Sequence, residues 1–188
     1  METRFTGFRA ALDEVSASSS GGFPFLLCYG ITFLLTGMLA FFLPREVSAL
    51  IAMFQGGVAL PAALWLEKRM GTTRLSEDNP LKQLSGMIAM SQGLAIPFLI
   101  VIYSTDPGQI PVTMAGLGGV HFLPYAWLHR TRIYSFLAGA VAIGAFALVL
   151  ALQGQSFSYI LLWVSACYLI AAPLVLRHAR SFQPAAAD

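Results

Sequence analysis

Six apolar stretches of bilayer-crossing length follow one another between Phe23 and Leu176, separated by short polar turns. They are Phe23–Leu43, Ser48–Leu66, Leu84–Tyr103, Ile110–Leu128, Ile133–Leu152 and Phe157–Leu176. A helix needs roughly 20 apolar residues to cross the hydrocarbon core. Backbone exposed to lipid must satisfy its own hydrogen bonds, which leaves helices as the spanning element for runs of this length. The pattern predicts an all-α polytopic membrane protein of six transmembrane helices, arranged as three helical hairpins. Residues 23–177 form that domain, and residues 1–22 and 178–188 are tails.

Basic residues set the orientation. With the turns assigned alternately to two sides, ten of the eleven Lys and Arg residues fall on one side and only Arg45 on the other. By the positive-inside rule the crowded side is the cytoplasm. Both termini are then cytoplasmic, and the expected location is the inner (plasma) membrane. Charged residues make up only 11% of the chain, against roughly 25% in a soluble domain, so the protein surface must largely face lipid. The net charge of +2 comes from cytoplasmic turns and gives no ground for nucleic-acid binding. Cys28 and Cys167 both lie within apolar spans, where packing is the expected role.

The first tail holds no apolar core of signal-peptide length, so no cleaved signal is expected. Phe5, Phe8, Leu12 and Val15 recur at spacings of three and four. They suit an amphipathic interfacial helix with Arg4 and Arg9 toward headgroups; a disordered tail fits equally. Ser16–Gly22 reads as a flexible linker, and the segment to Asp188 as disordered. The longest polar turn is Met70–Gln83, with Arg74, Glu77, Asp78 and Lys82.

Parts of the spans resemble one another. The second contains Gln55-Gly56-Gly57-Val58, then Pro61, then Trp65-Leu66 and basic residues. The fourth contains Leu117-Gly118-Gly119-Val120, then Pro124, then Trp127-Leu128 and basic residues. The third offers Ala89-Met90-Ser91-Gln92-Gly93 and Pro97, against Ala52-Met53-Phe54-Gln55-Gly56 and Pro61. The sixth shares only Pro173 and Leu176-Arg177. A true duplication and chance matching among Gly- and Pro-rich membrane helices both fit. Either way, Gly56, Gly57, Gly118 and Gly119 permit close helix contact. Pro61, Pro97, Pro124 and Pro173 each remove a backbone donor and free a carbonyl.

No Asp, Glu, Lys or Arg lies inside the six spans. A proton-coupled pump or a cation site would ordinarily need one. The midplane polar groups that remain are His121, Gln55 and Gln92, with Tyr125 one turn beyond His121. His121 would line a pore or contact a solute; alternatively it is a neutral ring bonded to Gln55, Gln92 or a freed carbonyl. Gln55 and Gln92 would line the path or act as interhelical glue, worth ~1 kcal/mol each. His129 and His178 sit among basic residues at the cytoplasmic interface and are expected to be solvated. Three scattered histidines without a carboxylate make no metal site, and no cofactor is expected. His-Glu-x-x-His, Gly-x-Ser-x-Gly and Gly-x-x-x-x-Gly-Lys are absent from the sequence, so an enzyme is not expected.

The run Gly118-Gly119-Val120-His121-Phe122-Leu123-Pro124-Tyr125 resembles small bacterial six-helix membrane proteins grouped as a domain of unknown function. That resemblance implies a fold but no activity. Over about twenty residues, Phe54-Gln55-Gly56-Gly57-Val58 through Leu66-Glu67-Lys68 resembles the acetate and succinate permeases. Their Asn-Pro-Ala-Pro-Leu-Gly motif is missing here.

The expected function is therefore a channel or facilitator for a small neutral or weakly acidic solute, with the lipid bilayer and further copies of the chain as partners. The alternative is a non-transporting scaffold, immunity or regulatory protein. Its function would lie in the Met70–Gln83 turn or the first tail.

Overall fold

The computed structural model describes residues 2–70 and 75–182, with side chains from residue 7 onward. Arg4 and Phe5 as side chains, Arg74, and the tail beyond Phe182 lie outside the described residues. Among the described residues the chain is helical, with no strand: α1 (Glu2–Ser18), α2 (Phe23–Leu39), α3 (Arg45–Phe54), α4 (Gly56–Arg69), α5 (Lys82–Ser91), α6 (Ile96–Thr105), α7 (Ile110–Leu128), α8 (Ile133–Leu152) and α9 (Ser156–Arg180).

Five helical segments are long and apolar enough to cross a membrane: Ser20–Leu39, Arg45–Arg69, Lys82–Thr105, Ile133–Leu152 and Ser156–Arg180. The chain is a membrane protein on this ground. The sixth expected span, α7, is not among them. Its 19 residues reach about 28 Å at ~1.5 Å per residue, but Gly116, Gly118, Gly119, His121 and Pro124 dilute its apolar character. α7 packs against α8, α9, α3, α6, α5 and α1, and Gly118 and Gly119 are among its buried positions.

Two of the five segments are broken in the middle. Gln55 alone separates α3 from α4, and a 3₁₀ turn, Gln92–Ala95, separates α5 from α6. Each break begins at a glutamine followed by glycine, a turn or more before Pro61 or Pro97. The related fragments of the second and third spans thus fall on the same kind of local structure. A proline removes one amide donor and crowds the preceding turn, and mid-span 3₁₀ geometry is a usual consequence. α7 and α9 run through Pro124 and Pro173 without a break. All four rings lie on exposed faces. They do not line the interior.

Neighbours in the bundle are not simply neighbours in sequence. The most extensive packing joins α2, the first span, to α9, the last; α7 on α8 comes next. Small residues make both contacts close. A β-carbon on Gly30 would come within 2.8 Å of Leu169 Cδ2, and one on Gly37 within 2.9 Å of Leu162 Cδ2. Ser165 Oγ donates to the Gly30 carbonyl at 2.7 Å, a bond made across the same contact. On the other seam, a β-carbon on Gly119 would meet Ala142 Cβ at 2.8 Å and the Ala138 carbonyl at 2.9 Å. Of the four glycines marked from sequence, Gly56 lies against Tyr29 and Gly118 against Tyr168, whereas Gly57 has open space beside it.

α1 is not a free tail. Ala11, Leu12 and Val15 are buried with Leu81 and Leu128 in a small apolar cluster. Leu12 and Val15 thus face protein, while Phe8 is exposed and tilts toward Trp127, ring centroids 5.9 Å apart. The expected linker Ser16–Gly22 is corrected too. Ser16, Ala17, Ser20 and Gly21 are buried. Gly21 and Gly22 adopt left-handed φ of 64° and 82° and turn the chain from α1 into α2. A side chain there would be strained, and a β-carbon on Gly21 would sit 2.8 Å from the Val175 carbonyl of α9. At the other end α9 continues to Arg180, beyond the expected Leu176, and Phe182 packs edge-on against His178.

Candidate functional site

A chain of aromatic rings runs through the bundle from Phe33 of α2 to the α7–α8 turn. Phe33 meets Tyr168 edge-on at 5.6 Å between centroids, and Tyr168 meets Phe122 at 5.3 Å. Phe122 stacks on Tyr134 at 5.8 Å, and Tyr134 on His129 at 5.4 Å. Tyr125 joins this end, stacked on His129 at 5.8 Å, and His121 meets Tyr125 edge-on at 5.2 Å. The spacing of α7 produces the series, because positions 118, 122, 125 and 129 share one helical face. Gly118 supplies no side chain there, and the Tyr168 hydroxyl takes the space.

The four sequence candidates do not gather at one point. His121, half-buried, pairs through Nδ1 with Ser91 Oγ at 3.2 Å. That hydroxyl also donates to the Ile88 carbonyl at 2.7 Å, so the imidazole is the donor to Ser91. This is the reverse of what a base-activated serine requires. Gln92, next to Ser91, donates to the Leu117 carbonyl at the limiting distance of 3.5 Å. His121, Tyr125 and Gln92 thus lie along the seam of α7 with the α5–α6 break. Gln55 stands apart at the α3–α4 break, buried, with no hydrogen-bond partner for either carboxamide atom.

The structure corrects the expectation that His129 is solvated. It is 3% exposed, with Nδ1 3.0 Å from Ser16 Oγ of α1. Its backbone carbonyl is 3.1 Å from His178 Nε2. Burial, with His178 nearby, pulls its pKa down to about 4, so the ring is neutral at physiological pH and accepts the Ser16 proton. Beside it the Tyr134 hydroxyl donates to the Gly21 carbonyl at 2.5 Å. Arg130 pairs with Asp13 of α1 at 2.6 Å. Sequence offered one clue to this cluster. His129 follows the last apolar residue of the fourth span, with only three residues before the fifth, so it cannot swing far from the helix ends.

α1 also holds the turn after α4. Glu14 Oε1 accepts from the Ser76 amide at 2.7 Å, and Oε2 from Asn79 Nδ2 at 2.8 Å. These bonds hold the Glu14 carboxyl below the usual carboxylate range, Ser76 contributing most. Asn79 Nδ2 also donates to the Ala11 carbonyl at 3.0 Å. The Ser76–Asn79 turn and α1 are thus one docked unit.

At the opposite end, the one basic residue of that side ties the turns together. Arg45 Nη2 donates to the Gly154 carbonyl at 3.1 Å, and its side chain lies against Gly108. A surface hollow of about 480 Å3 opens there, bordered by Arg45, Gln155, Ser158 and Tyr159. A second, of about 280 Å3, lies beside Trp163 between α8 and α9. Both open on the surface. Among the described residues no group of His, Cys, Asp and Glu is clustered to hold a metal ion.

The chain belongs to a family described as a family of unknown function (DUF7010), matched over residues 8–178. The match takes in the Gly118–Tyr125 run that carried the resemblance. No curated protein and no solved structure matches the chain.

Proposed function

We propose that this member of the family is a passive or facilitated pathway for a small neutral or weakly acidic solute. It would cross the inner (plasma) membrane six times, α7 included, with both termini cytoplasmic, a reading supported by the placing of ten of the eleven basic residues. The observation that carries this function is the pair of broken helices. Gln55 and Gln92 sit at mid-span breaks in successive segments, and the Gln92 break lies against α7, the helix that carries His121 and Tyr125. A mid-helix stretch of 3₁₀ geometry often marks a functional hinge, and discontinuous helices are where membrane transporters place their solutes. The spans carry no fixed charge, so the solute crosses uncharged. The third span, Lys82–Thr105, is barely covered by the rest of the chain, and Met90 and Leu94 are 77% and 82% exposed. A homo-oligomer would cover it.

Water accessibility along α7 tests the proposal. Single cysteines from Gly116 to Trp127, in a background lacking Cys28 and Cys167, would be treated with a membrane-impermeant thiol reagent. Labelling at His121 and one turn either side, with protection on the opposite face, is the expected result. Uniform protection through the midplane would remove the pathway.

One observation favours the second function, a non-transporting scaffold, immunity or regulatory protein. The Ser76–Asn79 turn and α1 form a single hydrogen-bonded cytoplasmic surface. If that surface is the working part, charge reversal at Lys82 abolishes function and His121→Ala does not.

A further inference from the structure

The break between α3 and α4 leaves a polar side chain where nothing in the protein satisfies it. Gln55 is 7% exposed, and neither its carboxamide oxygen nor its nitrogen has a hydrogen-bond partner. It shares a helical face with Ala52 and Ala59, both fully buried, so it is turned into the bundle. Packing alone does not account for it. Leucine or methionine would fill a similar space without the penalty of a desolvated, unbonded carboxamide. The backbone there is already bonded, since Val58 and Ala59 donate their amides to the Gln55 carbonyl at 3.0 and 2.9 Å, so the unmet need is that of the side chain. One further polar group lies close by. The Tyr29 hydroxyl lies against Gly56, where an added β-carbon would come within 3.2 Å of it.

Building on the pathway proposed above, we infer that Gln55 is its recognition point, and that it takes a small uncharged molecule whose carbonyl stands beside an N–H or O–H. Primary carboxamides, urea and undissociated carboxylic acids share that chemistry. A carboxamide meets such a group with two parallel hydrogen bonds: its N–H donates to the ligand carbonyl, and its oxygen accepts the ligand's proton. An anion would find no counter-charge in the spans, and a polyol has no carbonyl and holds its hydroxyls in no fixed planar donor–acceptor pair.

The experiment uses the full chain in proteoliposomes, with acetamide and glycerol entry followed by stopped-flow light scattering. Wild type is expected to speed acetamide entry over protein-free vesicles and to favour it over glycerol. Gln55→Met, close in volume, should lower the acetamide rate roughly tenfold, the cost of one or two lost hydrogen bonds. Its melting temperature should equal or exceed that of wild type, because the unbonded amide is gone. Gln55→Leu repeats the test should the methionine variant fold poorly. Equal acetamide rates in wild type and variants would overturn the recognition role and leave the pathway standing. A fall in both solutes together would overturn the ligand class. Should wild type carry neither solute, the pathway itself fails. Saturation-transfer NMR with acetamide then decides the site alone: a signal in wild type lost in Gln55→Met supports it, and no difference overturns it.

Discussion

Ser16 Oγ lies 3.0 Å from His129 Nδ1, and this contact fastens the N-terminal helix to the turn between α7 and α8. The two residues are 113 positions apart in the chain, and both are almost wholly buried. A neutral imidazole accepts the serine proton; a protonated one cannot.

Acid should therefore loosen α1. The pKa of His129 is 6.5 in the unfolded chain and about 4 in the folded one. The unfolded or undocked form binds the extra proton across that window, so the contribution to stability is complete above 6.5 and is lost as pH falls toward 4. A shift of this size is worth on the order of 3 kcal/mol. Glu14, held low by Ser76 and Asn79, acts in the same direction at the acid end. Hydrogen–deuterium exchange of the α1 amides, corrected for intrinsic rate, should lose protection between pH 7 and 4.5. His129→Phe should flatten the upper part of that profile.

Asn79→Ala should release the Ser76–Asn79 turn. The side chain donates to the Ala11 carbonyl and to Glu14, and accepts from the Leu81 amide. Buried partners left unbonded cost about 1–3 kcal/mol, which thermal melting in detergent would register. Arg130→Ala breaks a partly exposed ion pair with Asp13 and a loose contact with the Phe182 ring at 6.0 Å, and should cost about 1 kcal/mol, less at high salt.

Glycine positions separate cleanly. Gly119→Ala forces apart α7 and α8, because its β-carbon would lie under 3 Å from Ala142 Cβ and the Ala138 carbonyl. A loss of roughly 1–3 kcal/mol is expected. Gly57→Ala enters open space and should be neutral or slightly stabilising through helix propensity. Equal melting temperatures for the two variants would contradict the close α7–α8 seam.

Tyr134→Phe removes the hydroxyl that meets the Gly21 carbonyl. The stacked rings on either side remain, so the expected loss is about 1–2 kcal/mol without a change in near-ultraviolet circular dichroism beyond the tyrosine itself.

Apolar run length made the helical membrane fold legible, because lipid forces nearly every outward residue to be apolar. The same rule explains where sequence fell short. α7 falls short of the other runs because glycines, His121 and Pro124 interrupt it. Gly30 and Gly37, which set the α2–α9 contact, look like any other membrane glycine until their partners are known. The two glutamines stood out because a carboxamide in an apolar run is costly to bury. Nothing in their spacing said that Gln92 would find a carbonyl and Gln55 would not. His129 was misjudged from its basic neighbours. Its burial depends on Ser16, far away in sequence.

The pairing of α2 with α9, and of the Gly21 corner with Val175, has a consequence for how the chain is made. Synthesis runs from the N-terminus, so the first span enters the membrane well before its main partner exists. Until the last span arrives, Gly30, Gly37 and the corner at Gly21 have nothing to close upon, and α1 lacks part of its seat. α1 and α2, made before α9, are thus among the last elements to settle, and a chain cut short before α9 would leave them unmoored.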